Sequence, residues 1–156
     1  ISFRLGKRDY VKLEDIVEQG RKTPELIEVS YLQEGSLIIT DGINEFAIDD
    51  ALLWIVPAIC FDLIVSLTKT GKFEQDAWIG DEKYKFVLDG DEVHISSQYS
   101  EPIPLAAKDL FSALLHAGEQ FIDILEALWP ADAKEDPNQV KLRFENARQC
   151  LQERQD

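Results

Sequence analysis

The chain has few of the residues on which most catalytic and metal sites depend. Two of its 156 residues are Cys, two are His and none is Met. Cys60 and Cys150 form no CxxC pair, and Cys60 stands in an apolar run, where a thiol behaves as a small buried hydrophobe. We therefore expect reduced thiols and a cytoplasmic protein.

The signatures of common enzyme classes are also missing from the sequence. It contains no P-loop, GxGxxG, GxSxG or HExxH motif and no Cys/His array of the zinc type. Most mechanisms of nucleophilic or metal-dependent hydrolysis need residues that this chain lacks. We therefore expect a protein that is not an enzyme, with no cofactor and no metal.

Long apolar runs are scarce as well. The most apolar stretch, residues 51–67, contains Pro57 and Asp62, whereas a membrane span needs about 20 residues and rarely tolerates a central Asp. This stretch predicts a core helix rather than a membrane segment. The chain opens without Met or a charged-then-apolar leader, and we expect a trimmed or incomplete N-terminus.

Negative charge is the one property present in excess. Thirty Asp and Glu face sixteen Lys and Arg, which gives a net charge of −14. Residues 24–133 hold twenty-one of the acids and only five of the bases. A surface of this kind repels nucleic acid and anionic membranes and attracts basic partners.

Hydrophobic periodicity divides the first half of the chain into short elements and one apolar helix. Asp49 and Asp50 stand where an N-cap and a first-turn acid belong, before a helix that runs to about Thr70 and ends at Gly71. Pro57 should kink or split this helix. The other predicted elements are an amphipathic helix at 11–19 and strands at 2–5, 25–33, 36–40 and 44–48.

The second half predicts a β block followed by two helices. Gly80-Asp81-Glu82 and Asp89-Gly90-Asp91 separate strands at 73–79, 84–88 and 92–97, and Pro102 and Pro104 are expected to end the sheet. A long amphipathic helix follows over 105–129, then a polar linker at 133–137 and a thinner helix over 138–152.

These elements predict a single α+β domain over residues 1–156. We expect both β blocks to join one antiparallel sheet, with the kinked apolar helix, the long amphipathic helix and the short C-terminal helix packed mainly on one face. At 45% apolar residues, the chain has enough hydrophobic material for one ordinary core.

The acids of the second β block form the main candidate for a binding surface. They surround Trp78, and an aromatic residue ringed by charge is typical of an interface anchor. Trp54 and Trp129 are expected in the core instead. The candidate partner-binding residues are Asp76, Trp78, Asp81, Glu82, Asp89, Asp91 and Glu92.

Three other positions carry weaker functional hypotheses. Asp62 interrupts an apolar helix, so it is either a pocket acid or a residue that is exposed or paired with a Lys or Arg. His116, Glu119 and Asp123 share one helix face, which is either a weak metal or acid–base candidate or simply a solvated stripe. His94 is expected to face water or a covering element.

The preferred function is a non-catalytic acidic module that docks a basic protein partner. In charge and size it resembles the small acidic immunity proteins that neutralise basic nuclease toxins, and we expect no binding to nucleic acid or membrane. The alternatives are a homo-oligomeric structural or adaptor domain that self-associates through its last helices, and a small-ligand binder or enzyme that uses Asp62 or the His116 stripe.

Overall fold

The computed structural model describes residues 2–5, 35–50, 52–76, 81–128 and 135–155. The predicted helix at 11–19, the predicted strand at 25–33, and both Trp78 and Trp129 lie outside these ranges. Within them the α+β class is confirmed. No helix of the described ranges is both long enough and apolar enough to cross a bilayer.

The described strands form two antiparallel sheets, not the single sheet that was predicted. The first has the order β1-β2-β3 and the second the order β4-β5-β6-β7. The bounds are β1 Ser2–Leu5, β2 Gly35–Thr40, β3 Glu45–Asp50, β4 Lys72–Asp76, β5 Lys83–Asp89, β6 Glu92–Ser97 and β7 Ser100–Ala106.

A tight loop joins β2 to β3, as the Asp-Gly pair predicted. The Asp41 carboxylate accepts hydrogen bonds from the backbone N–H groups of Ile43 (2.8 Å) and Asn44 (2.6 Å). These bonds stabilise the ionised form and lower the pKa of Asp41 below its ordinary value. Gly42 has φ of 92°, a left-handed conformation that favours glycine.

The apolar helix after β3 is divided by Pro57. It comprises α1 (Leu52–Pro57), a π-helical turn (Ala58–Asp62) and α2 (Leu63–Thr70). In the π-helical turn, the N–H of Leu63 donates to the carbonyl of Ala58, five residues back. The predicted disruption at Pro57 is therefore confirmed, since a proline removes one donor and its ring crowds the preceding turn.

The sequence predicted the C-terminal end of this helical segment correctly, but not its N-terminal end. Gly71 ends α2 in a left-handed conformation, and its N–H donates to the carbonyl of Leu67 at 3.0 Å, as predicted. The predicted helix cap at Asp49 and Asp50 is wrong. Both residues belong to β3, where they pair with Ser36 and Gly35.

Pro102 and Pro104 do not end the second sheet but lie within β7. This strand pairs only with β6 among the described strands and is an edge of the sheet, where a missing N–H is tolerated. The chain then enters α3 (Ala107–Leu128), and α4 (Glu135–Gln155) begins earlier than the predicted helix at 138. Proline is tolerated in the first helical turn, so Pro137 does not block this start.

One core cluster joins the inner faces of both sheets to the helices. The second sheet has one buried and one exposed face, as its alternation predicted: Tyr84, Phe86, Val93 and Ile95 are buried, while their sequence neighbours on β5 are exposed. The predicted apolar stripes of α3 and α4 are also confirmed in their described parts. They contribute Leu110, Phe111, Leu114, Phe121, Ile122, Leu125, Val140 and Ala147.

Helix α3 crosses the π-helical turn at very close range. Gly118 lies against the Phe61 ring, and a Cβ at Gly118 would overlap that ring and lie 3.1 Å from the Cβ of Cys60. Phe61 is fully buried and packs edge-on against Phe144 of α4, with ring centroids 5.6 Å apart. Glycine at this position therefore allows α3 to approach the apolar helix.

Candidate functional site

The second sheet separates the candidate partner-binding acids into two groups at its opposite ends. Asp76, Asp81 and Glu82 lie at the end of β4 and in the connection to β5. Asp89, Asp91 and Glu92 lie at the turn between β5 and β6. Six residue steps along β5 correspond to about 20 Å, so the two groups do not form one patch.

The first group is engaged within the molecule. Asp76 is 3.5 Å from the ammonium group of Lys83, and the Asp81 carboxylate accepts a hydrogen bond from the Tyr99 hydroxyl at 2.8 Å. That bond raises the pKa of Tyr99, because the carboxylate stabilises the protonated phenol. Glu82 accepts a hydrogen bond from the Tyr84 hydroxyl at 3.1 Å.

The second group lies at a tight hairpin. Gly90 has φ of 61° at the first central position of the two-residue turn, which suits glycine. Glu92 is 3.4 Å from the His94 imidazole, and the Asp91 carbonyl accepts a hydrogen bond from Ala107 N–H at 2.8 Å. The turn therefore also fixes the start of α3.

Asp62 has the paired environment that was one of its two alternatives. Its carboxylate accepts two hydrogen bonds from the Arg143 guanidinium, one from Nε at 3.0 Å and a shorter one from Nη2. The Asp62 side chain is 46% exposed, so it is not a buried orphan acid. It lines a groove of about 500 Å³ that also contains Cys150, a free thiol like the fully buried Cys60.

The exposed face of α3 carries the stripe that contains His116. Asp109, His116, Glu119, Asp123 and Glu126 are all exposed and fall within about 100° of arc around the helix. Over the described residues, no group of three or more His, Cys, Asp and Glu side chains is arranged to hold a metal. The stripe is therefore a charged surface rather than a metal site in the described part of the chain.

Most acids of this stripe form no ion pair with a described Lys or Arg residue. Glu126 pairs with Lys141 of α4, whereas Asp109, Glu119 and Asp123 form no ion pair with a described cation. From Asp109 to Glu126 the stripe extends over about 25 Å. Sequence reasoning identified His116, Glu119, Asp123 and Glu126 as one helix face but did not include Asp109. It left the face as either a metal or acid–base candidate or a solvated stripe, because it could not show which acids the fold neutralises.

Two exposed aromatic side chains were not expected from the sequence. Trp54 is 64% exposed, so the prediction that it lies in the core is wrong: the neighbouring positions Ile55 and Val56 take the buried face of α1. Tyr99, which the sequence did not single out, is 66% exposed beside Asp81.

Comparison of the chain with protein-family models, curated proteins and solved structures finds no match.

Proposed function

We propose that the protein is a non-catalytic binding module that docks a basic protein partner through the exposed face of α3. The observation that carries this proposal is the one-sided stripe of Asp109, Glu119, Asp123 and Glu126. It lies along one face of a single helix, and three of its four carboxylates have no ion pair with a described cation. Acids that are not neutralised internally contribute most to attraction of a cationic partner.

This face is a better docking surface than the acids of the second sheet. Those acids are divided between two ends of the sheet about 20 Å apart, and Asp76, Asp81, Glu82 and Glu92 each have a partner within the chain. A partner binding there would have to compete with existing contacts. On α3 it would meet carboxylates that are already exposed and held on a single helix.

The test is the association rate of the protein with a panel of purified cationic nuclease domains, with a lysine-rich peptide as a charge-only probe. The partner class follows from the likeness in charge and size to immunity-type inhibitors. For a nuclease that binds, the association rate constant should fall about tenfold from low to physiological salt, because the attraction is screened. The lysine-rich peptide should bind more weakly than the folded partner.

Matched variants locate the contact. Glu119→Gln with Asp123→Asn removes two charges from the stripe and should slow association about threefold or more at low salt. Glu45→Gln with Glu101→Gln removes two exposed charges elsewhere and should change the rate much less. Equal effects of the two double substitutions would mean that the stripe acts only as part of the overall negative charge of the protein. Failure of every cationic nuclease to bind would remove the proposal.

A further inference from the structure

A second feature, beside the N-terminal end of the acidic stripe, is an open groove between the first turns of α3 and the last turns of α4. Its volume is about 920 Å³, which falls within the size range of small-molecule sites. Phe111, Leu115 and Leu151 give it apolar walls. The β5–β6 turn at Asp91 and the end of β7 at Ala106 bound one end.

The charge around this groove is opposite to that of the chain as a whole. Lys108, Arg148 and Arg154 line it, against Asp91 as the one acidic lining residue. The Arg154 guanidinium lies 5.9 Å from the centre of the Phe111 ring. Arg148 is 3.5 Å from Glu145, while Lys108 and Arg154 form no ion pair with a described carboxylate.

We propose that this groove binds a small amphipathic organic anion, with an apolar body and one carboxylate or sulfonate group. The apolar body would contact Phe111, Leu115 and Leu151, and burial of such surface is the main source of affinity. The acid group would pair with Lys108 and Arg154, whose donors favour anionic oxygens. Asp91, which lines the groove beside the β5–β6 turn, disfavours a longer acidic peptide, because its carboxylate would repel further acids.

The first test uses two fluorescent probes that differ by one charged group. Anilinonaphthalene sulfonate carries the anion, and N-phenylnaphthylamine is its neutral parent. The folded protein should bind the sulfonate at least about tenfold more tightly than the neutral probe, and decanoate should displace it. Equal affinity for the two probes, or no displacement by decanoate, would overturn the proposal.

Paired variants then separate the groove from the overall charge. Lys108→Gln with Arg154→Gln should weaken binding of the sulfonate probe about tenfold. Lys69→Gln with Lys72→Gln makes the same change in net charge at exposed positions outside the groove, and should weaken binding less than about twofold. All four side chains are exposed, so the fold should be retained, which far-UV circular dichroism checks.

The position of the probe gives an independent readout. Amide chemical-shift changes on titration with decanoate should concentrate at Ser112, Leu115 and Leu151. Changes concentrated in the other groove, at Asp62 and Cys150, would overturn the assignment. Tighter binding of an acidic leucine-rich peptide than of decanoate would also overturn it, because the groove would then serve a protein segment.

Discussion

Arg143 of α4 donates two hydrogen bonds to the carboxylate of Asp62, which lies 81 residues earlier in the chain. Asp62 is the last residue of the π-helical turn, so the pair connects that turn to the C-terminal helix. Both side chains are partly exposed, at 46% for Asp62 and 35% for Arg143. The contribution of this contact to stability is therefore moderate, since solvent screens a pair of this kind.

The first prediction concerns the strength of this pair. A double-mutant cycle with Asp62→Ala and Arg143→Ala should give a coupling free energy of about 0.5–1.5 kcal/mol, because the bidentate geometry is favourable but the site is half exposed. Urea unfolding of the four proteins measures it. A cycle on Glu145 and Arg148, which are 3.5 Å apart on one exposed helix face, should give less. Coupling at Asp62 no larger than at Glu145 would contradict the prediction.

The close contact of Gly118 with Phe61 makes a second prediction. In an open helix, Gly→Ala stabilises by up to about 1 kcal/mol. Here the new methyl would overlap a fully buried ring that also packs on Phe144, so we expect Gly118→Ala to destabilise the protein by about 1–3 kcal/mol. The change in the free energy of unfolding in urea measures the effect.

The control for Gly118 lies on the same helix. Ser112 is exposed, and Ser112→Ala should change stability by less than about 0.5 kcal/mol. Adding Phe61→Leu to the Gly118→Ala protein should cost less than Phe61→Leu costs alone, because the smaller side chain makes room for the methyl. Simple additivity of the two changes would mean that the ring and the methyl do not meet.

Burial of Cys60 gives a prediction about alkaline stability. Full burial raises the pKa of this thiol above its ordinary value of 9.0, because desolvation disfavours the thiolate. Above about pH 9 the unfolded chain loses this proton and the folded chain keeps it. Stability should therefore fall as the pH rises, by up to about 1.4 kcal/mol per pH unit from this group.

Urea unfolding at about pH 8 and about pH 10 measures this slope, and Cys60→Ala provides the reference. The variant loses the thiol contribution while keeping every other alkaline group, so its stability should fall less steeply. Equal slopes would mean that Cys60 ionises as easily in the folded protein as in the unfolded one. As a separate check, a thiol reagent should label half-buried Cys150 in the folded protein and Cys60 only on unfolding.

Local patterns were sufficient for much of the fold. Asp41-Gly42 and Asp89-Gly90 predicted their turns, Gly71 predicted a helix end, and the apolar stripe of α3 predicted its buried face, because each depends on residues close in sequence. The site depends on long-range placement instead. Nothing local shows that Tyr99 reaches Asp81, or that Arg143 reaches Asp62.

The prolines of β7 show how the same local signal can mislead. Proline cannot donate a hydrogen bond, so Pro102 and Pro104 predicted the end of the sheet. The N–H of Ala107 donates a hydrogen bond to the carbonyl of Asp91. Hydrogen-bonded and non-hydrogen-bonded pairs alternate along two antiparallel strands, so Leu105 and Ile103 occupy hydrogen-bonded positions opposite β6. The nitrogen of Pro104 consequently faces away from β6, at an edge that no described strand occupies, where it removes a donor that another strand could use. Pro102 lies where the register between β6 and β7 shifts.

The last prediction follows from this arrangement. Replacing both prolines by threonine, Pro102→Thr with Pro104→Thr, restores a backbone N–H at each position, with the one at position 104 facing outward, and places a strong strand former at both. We expect the variant to self-associate at concentrations where the parent does not, because its edge can then pair with a second copy. Light scattering over a range of concentrations measures this, and Ser96→Thr on the internal strand β6 is the control. A variant whose scattering matched that of the control at every concentration would show that the prolines do not protect the edge.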